Sequence, residues 1–246
     1  MQITPLKVWI ASVGLTLLCA ALCRVYLECC RVKDHKKAFW YKGAAGLCFV
    51  LLGLMGMSGS VKCALSPGVY CSRVSADFAR MIAAGLGLGL MGDQLLALRF
   101  IYGKYETQFF AAGTLSFAFG HILYICALSM RAPGILVTGL AIGLAVLAVS
   151  VVFNCRKDTN AGKMQAPGML YMAIVAFMGA LAVSVAIHAP SVPATLFALG
   201  GVCFIVSDNL LCVYCFGSDR RFGVNIGVHA TYYAAQLLIA WSVFFM

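Results

Sequence analysis

Two aspartates stand where acids are costly. Asp93 and Asp208 lie 115 positions apart, each inside a long apolar run. An ionisable side chain at the centre of a membrane span costs at least about 2.5 to 3.5 kcal/mol, so such groups usually face a bundle interior or a cavity and mark function. His121 falls in the middle of another apolar run, with Tyr124 one turn later on the same helical face. Near the C-terminus, Tyr232 and Tyr233 precede Gln236 by four and three residues and make a polar stripe on an otherwise apolar helix. Two acids, an imidazole, phenols and an amide lining one cavity would form a site for donating and accepting protons. Plainer roles compete. Asp93 follows Gly85, Gly87, Gly89 and Gly92, a small-residue spacing at which helices approach closely and a carboxylate can bond to a neighbour. A lone buried histidine is more often structural than catalytic. His35 in a basic loop, His188 at a span end and His229, assigned to the outer side of the last span, are read as incidental.

Other chemistries lack their motifs. There is no GxSxG elbow, HExxH pair or P-loop, and the GxGxG run at Gly85 sits inside an apolar segment without the strand and helix of a nucleotide site. A zinc hydrolase needs three ligands and only His121 is at a suitable depth, so no metal and no cofactor is expected.

The elements that must position these residues are membrane helices. Of 246 residues, 63% are hydrophobic and 11% charged, against about a quarter charged in soluble domains. A span takes about 20 apolar residues. Eight such segments follow, at roughly 5–28, 38–57, 75–98, 108–130, 134–153, 167–188, 193–216 and 224–246. Pro133, Pro167, Pro190 and Pro193 fall at segment edges, where proline starts or ends helices. The expected fold is an all-α polytopic bundle of eight transmembrane helices in a single membrane domain.

The 18 basic residues cluster between segments. With Arg24 and Lys42 given to the first connection, the odd-numbered connections hold 13 and the opposite side five, which makes the odd loops cytoplasmic and both termini non-cytoplasmic. The charge therefore reads as orientation, with no nucleic-acid partner. Cys63 and Cys71 share an outer loop, as a disulfide or as two free thiols. An internal echo joins Gly92-Asp93-Gln94-Leu95-Leu96 to Ser207-Asp208-Asn209-Leu210-Leu211, and the same offset carries His121 onto Gln236. It points to two parallel four-helix repeats, 1–131 and 132–246, with chance likeness of apolar helices as the alternative. Gly139 and Gly143 suit a homodimer seam or an internal helix pair.

Four stretches carry a resemblance: Gly92-Asp93, Phe119-Gly120-His121-Ile122-Leu123-Tyr124, Phe204-Ile205-Val206-Ser207-Asp208 and Thr231-Tyr232-Tyr233-Ala234-Ala235-Gln236-Leu237-Leu238. Together they resemble the YhhN-like lysoplasmalogenase family of eight-span membrane proteins. The likeness covers about residues 85 to 246, and over the first two segments only hydropathy agrees. It implies hydrolysis of the vinyl ether bond of lysoplasmalogens to a fatty aldehyde and a glycerophospho-base, with a lysophospholipid substrate drawn from membrane lipids. Protonating the outer alkene carbon leaves an oxocarbenium ion that water captures, so the reaction needs an acid and an anion, as in glycoside hydrolysis. On this reading Asp93 and Asp208 divide those roles in an order left open, and His121 positions water or relays protons. Tyr232, Tyr233 and Gln236 hold the ether oxygen or the glycerol, and Tyr124 and Ser207 line the substrate site. Arg99 and Arg221, with Lys104 and Arg220, meet the phosphate at the cavity mouth or serve only as orientation signals. A proton-coupled small-molecule or lipid transporter and a non-catalytic lysolipid sensor are the competing functions.

Overall fold

A computed structural model describes residues 5–65, 73–131, 133–217 and 219–245, without the side chains of 5, 59–65, 73, 74 and 133. Cys71 and the Cys63 side chain lie outside the described residues. Eight helices follow one another: α1 Pro5–Arg31, α2 His35–Leu65, α3 Arg73–Ile101, α4 Glu106–Arg131, α5 Leu136–Arg156, α6 Gln165–His188, α7 Val192–Phe216 and α8 Phe222–Ser242. All eight are long and apolar enough to cross a membrane, and together they make an integral, multi-pass membrane protein.

Local chemistry sets the ends. Pro167 and Pro193 sit in the first turns of α6 and α7, where a missing N–H is harmless, and Ser191 caps α7 by accepting from the Ala194 amide at 3.3 Å. The turn from α1 to α2 is only three residues long. Asp34 caps α2 by accepting the Lys37 amide at 3.1 Å, while Lys33, at φ 58°, stands in the left-handed conformation that ends α1.

Six helices form the inside of the bundle and two flank it. Phe49, Ile82, Leu86, Tyr124, Met178, Leu181, Phe204 and Ile239, from α2, α3, α4, α6, α7 and α8, are completely buried. Of α5 only Gly139, Gly143 and Ser150 are buried. Consecutive helices pack together except α4 and α5, where the chain passes over so that α4 packs on α6, and α2 against α8 closes the bundle. A Cβ on Gly139 or Gly143 would meet Leu181 or Phe177, so these two glycines seat α5 on α6. At one end of the bundle Trp9 stacks on Trp241, with ring centroids 5.6 Å apart and Phe244 and Phe245 alongside, the arrangement of an interfacial aromatic belt.

α3 and α4 approach closely. A Cβ on Gly120 would lie 3.1 Å from the Gly85 carbonyl oxygen, and one on Gly85 would enter the Tyr124 ring. This seam holds α4 against the helix that carries Asp93. Gly85→Ala is therefore expected to destabilise the protein by about 1–3 kcal/mol, the range for overpacking, read as a lower thermal midpoint in detergent. Gly87→Ala, which meets nothing within 4 Å, is the control and leaves the midpoint in place.

Candidate active site

Asp93 on α3 and Asp208 on α7 line one cavity of about 100 Å³, with Tyr232 and His229 of α8, Lys42 of α2 and Tyr171 of α6. The remaining walls are largely apolar, built from Phe117, Met172, Phe204, Leu211 and their neighbours. Both carboxyl groups are buried, at 2% and 7% exposure. A buried charge is tolerated only with partners, so the identity of those partners separates the two acids.

Asp93 has a full countercharge. Its Oδ1 lies 2.9 Å from Lys42 Nζ, and the lysine is itself 6% exposed. Its Oδ2 is buried and accepts no hydrogen bond, and the Tyr232 hydroxyl is the polar group in electrostatic reach. That hydroxyl accepts from Gln236 Nε2 at 2.9 Å, which leaves its own proton free to be given away. Asp208 has no cation beside it among the described residues. Its Oδ2 accepts a hydrogen bond from the Tyr171 hydroxyl at 2.8 Å. The cavity therefore holds one ion-paired carboxylate and one carboxyl group with only a phenol for company.

Four of the residues chosen from the sequence line this cavity: Asp93, Asp208, Ser207 and Tyr232. Ser207 is occupied structurally, donating to the Val228 carbonyl at 3.0 Å. Gln236, Tyr124 and Tyr233 form a layer behind it. The Tyr124 hydroxyl reaches Gln236 Oε1 at 3.4 Å, and the Tyr233 hydroxyl reaches the Lys42 carbonyl at 3.4 Å. His121 is 1% exposed and is not a lining residue. Its ring sits among Phe204, Tyr124 and Tyr171, at centroid distances of 4.7, 5.9 and 5.9 Å, and neither ring nitrogen has a partner.

One correction concerns a charge. Arg221 is 82% exposed and lines none of the cavities described. Its Nε and Nη2 donate to the two oxygens of Asp219 at 2.8 and 2.7 Å, and these bonds hold the Asp219 carboxyl down at about 2. Because that value is depressed, the Asp219 carboxyl keeps its charge as pH falls through the usual carboxylate range, and Arg221 has a carboxylate partner there. Arg24 and Lys42, whose charges count with the first connection, lie within α1 and α2, as the segment bounds place them.

His229 is the second correction. It belongs to the cavity, three residues from Tyr232 and at the α7–α8 turn end of its helix. Its Nδ1 faces the Asn225 carbonyl at 2.9 Å, an acceptor only, so Nδ1 carries the proton and Nε2 accepts from the Tyr26 hydroxyl, also at 2.9 Å. Tyr26 in turn lies under Lys42, 5.8 Å from Nζ to the ring centroid. Positions 229, 232, 233 and 236 repeat at the spacing of one helical face, the signal that includes His229 with the stripe. Lys42 and Tyr171 carried no such signal.

Among the described residues no three His, Cys, Asp or Glu side chains gather where a metal ion would sit. No curated protein and no solved structure gives a significant match to the chain. The protein-family comparison does match, over residues 57–243, a stretch that includes both aspartates, His121 and the α8 stripe but neither Tyr26 nor Lys42. The chain thus belongs to the YhhN family.

Proposed function

We propose that the protein is a lysoplasmalogenase-like hydrolase that cleaves the vinyl ether bond of lysoplasmalogens. The observation that carries this reading is the unequal pair of buried carboxyl groups on one apolar-walled cavity. Vinyl ether hydrolysis needs a proton donor and, a moment later, an anion beside a cation. Asp208, without a countercharge, is the donor, and Asp93, held by Lys42, is the anion. A carboxyl group buried without a cation favours its neutral form, and one beside an ammonium favours the charged form.

In the reaction the Asp208 proton moves to the outer vinyl carbon and the alkene electrons leave an oxocarbenium ion at the inner carbon. Asp93 stabilises that ion and takes a proton from the water that adds to it. The hemiacetal then breaks its carbon–oxygen bond to the glycerol, whose oxygen takes up a proton. One water is consumed, and aldehyde and glycerophospho-base leave. The proton on Asp93 returns to Asp208 to close the cycle, with the Tyr232 and Tyr171 hydroxyls as the nearest polar groups. The odd-numbered turns face the cytoplasm in this proposal, following the distribution of basic residues.

Transport is the weaker alternative, since the spans run as continuous helices among the described residues, without the paired breaks of many transporters. The test is aldehyde release by the purified protein from a vinyl-ether lysolipid beside its saturated alkyl-ether and ester counterparts. Aldehyde from the vinyl ether alone supports the hydrolase, and turnover of none by a monodisperse sample rejects it. Tyr171→Phe removes the hydrogen bond that Asp208 accepts from the Tyr171 hydroxyl and is expected to lower kcat about tenfold, the worth of one such bond.

A further inference from the structure

A second cavity of about 390 Å³ shares Lys42, Leu96, Leu211 and His229 with the acid cavity. Lys33, His35 and Arg99 also line it, and no Asp or Glu does. Lys42 is neutralised by Asp93, which leaves Lys33 and Arg99 as its unpaired cations. Arg99 is half-buried and has no carboxylate partner among the described residues. Its Nη2 reaches only Cys215 Sγ at 3.5 Å, and its Nε is buried with no partner at all. A buried N–H left without an acceptor is unfavourable, and a guanidinium with a free edge is built to receive an oxyanion. Its position is fixed by the rings of Phe100 and Phe110, 4.5 and 5.2 Å from the guanidinium carbon to the ring centroids.

Lys33 adds an independent sign. It ends α1 at φ 58°, where glycine has no steric penalty and a lysine does. The Lys33 side chain lines the cavity from this exposed turn.

We propose that this second cavity is a phosphate-binding subsite for the head group of the lysolipid, with Arg99 and Lys33 receiving the phosphodiester oxygens. Where the rest of the substrate goes rests on the hydrolase reading above. Five bonds separate the phosphorus from the vinyl ether oxygen, so the two groups occupy adjoining spaces with the glycerol at the Lys42–His229 wall. Lys33 lies outside the stretch shared with the family, so head-group selection draws on this chain's own first two helices. The arginine marked from the sequence as a phosphate contact keeps that role here, whereas Arg221 loses it to Asp219.

Binding of a non-cleavable lipid separates this proposal from catalysis. The full-length protein in detergent is titrated calorimetrically with a saturated 1-alkyl-ether lysophosphatidylcholine and with the 1-alkylglycerol of the same chain. The phospholipid is expected to bind about tenfold or more tighter, the worth of charge-assisted hydrogen bonds. Arg99→Gln combined with Lys33→Gln brings the two lipids to near-equal affinity, whereas Lys36→Gln combined with Lys157→Gln, an equal charge loss outside the cavity, keeps the preference. Equal binding by the unmodified protein, or a preference that survives the double substitution, overturns the subsite. Inorganic phosphate competing at the same concentration as the lysolipid identifies a free-phosphate site and overturns the head-group assignment. Absence of aldehyde release would reject the hydrolase and leave this measurement standing.

Discussion

Asp93→Asn is expected to lose both activity and stability. Its amide cannot act as the anion beside an oxocarbenium ion, so aldehyde release falls by about 100- to 10,000-fold, the range for removing an acid–base group. The same change leaves the Lys42 ammonium buried at 6% exposure with no countercharge. Removing one partner of a buried ion pair destabilises by about 3–5 kcal/mol, whereas replacing both by apolar groups is often neutral. Lys42→Met in the Asp93→Asn background is therefore expected to restore the thermal midpoint in detergent without restoring aldehyde release. Recovery of activity along with the midpoint would reduce Asp93 to a structural ion-pair partner.

Asp208→Asn separates the two effects. Asparagine still accepts the Tyr171 hydrogen bond through its amide oxygen, and there is no ion pair to break. The midpoint is expected to move by less than about 1 kcal/mol in stability, while aldehyde release falls by about 100- to 10,000-fold. A large stability loss with proportionate activity loss would mean that Asp208 is part of the packing rather than the proton donor. The contrast between the variants follows from Lys42 alone, which stands beside one acid and not the other.

The helices were legible because a span is a long statement, with about 20 apolar residues in a row and proline or charge at its edges. The two aspartates were legible for the converse reason: an acid in such a run is costly and stands out. Lys42 was not. It follows Lys36 and Lys37 by one or two turns and counts with them as an orientation charge, although it lies within the second apolar segment and α2 carries it into the bundle. Tyr171 sits near the start of α6, where tyrosine is ordinary at a membrane interface, and only the packing of α6 against α7 brings it to Asp208.

His121 shows the opposite failure. Its depth matched the acids, but depth does not fix the direction of a side chain, and its ring lies in the aromatic layer with Phe204, Tyr124 and Tyr171 rather than on the cavity wall. The pairing of Arg221 was readable two residues upstream, at Asp219. Sequence thus locates costly side chains well. It does not say which neighbour neutralises them, and that neighbour decides the chemistry.

The most direct test follows where the proton goes. The protein turns over a vinyl-ether lysolipid in D2O, the aldehyde is reduced at once to the alcohol, and the products are read by mass spectrometry. Carbon protonation predicts one deuterium on the former outer vinyl carbon. The same incubation in 18O-labelled water predicts a glycerophospho-base that keeps its original ether oxygen. An aldehyde with no deuterium at that carbon, or label in the glycerol fragment, would contradict protonation of the alkene followed by addition of water.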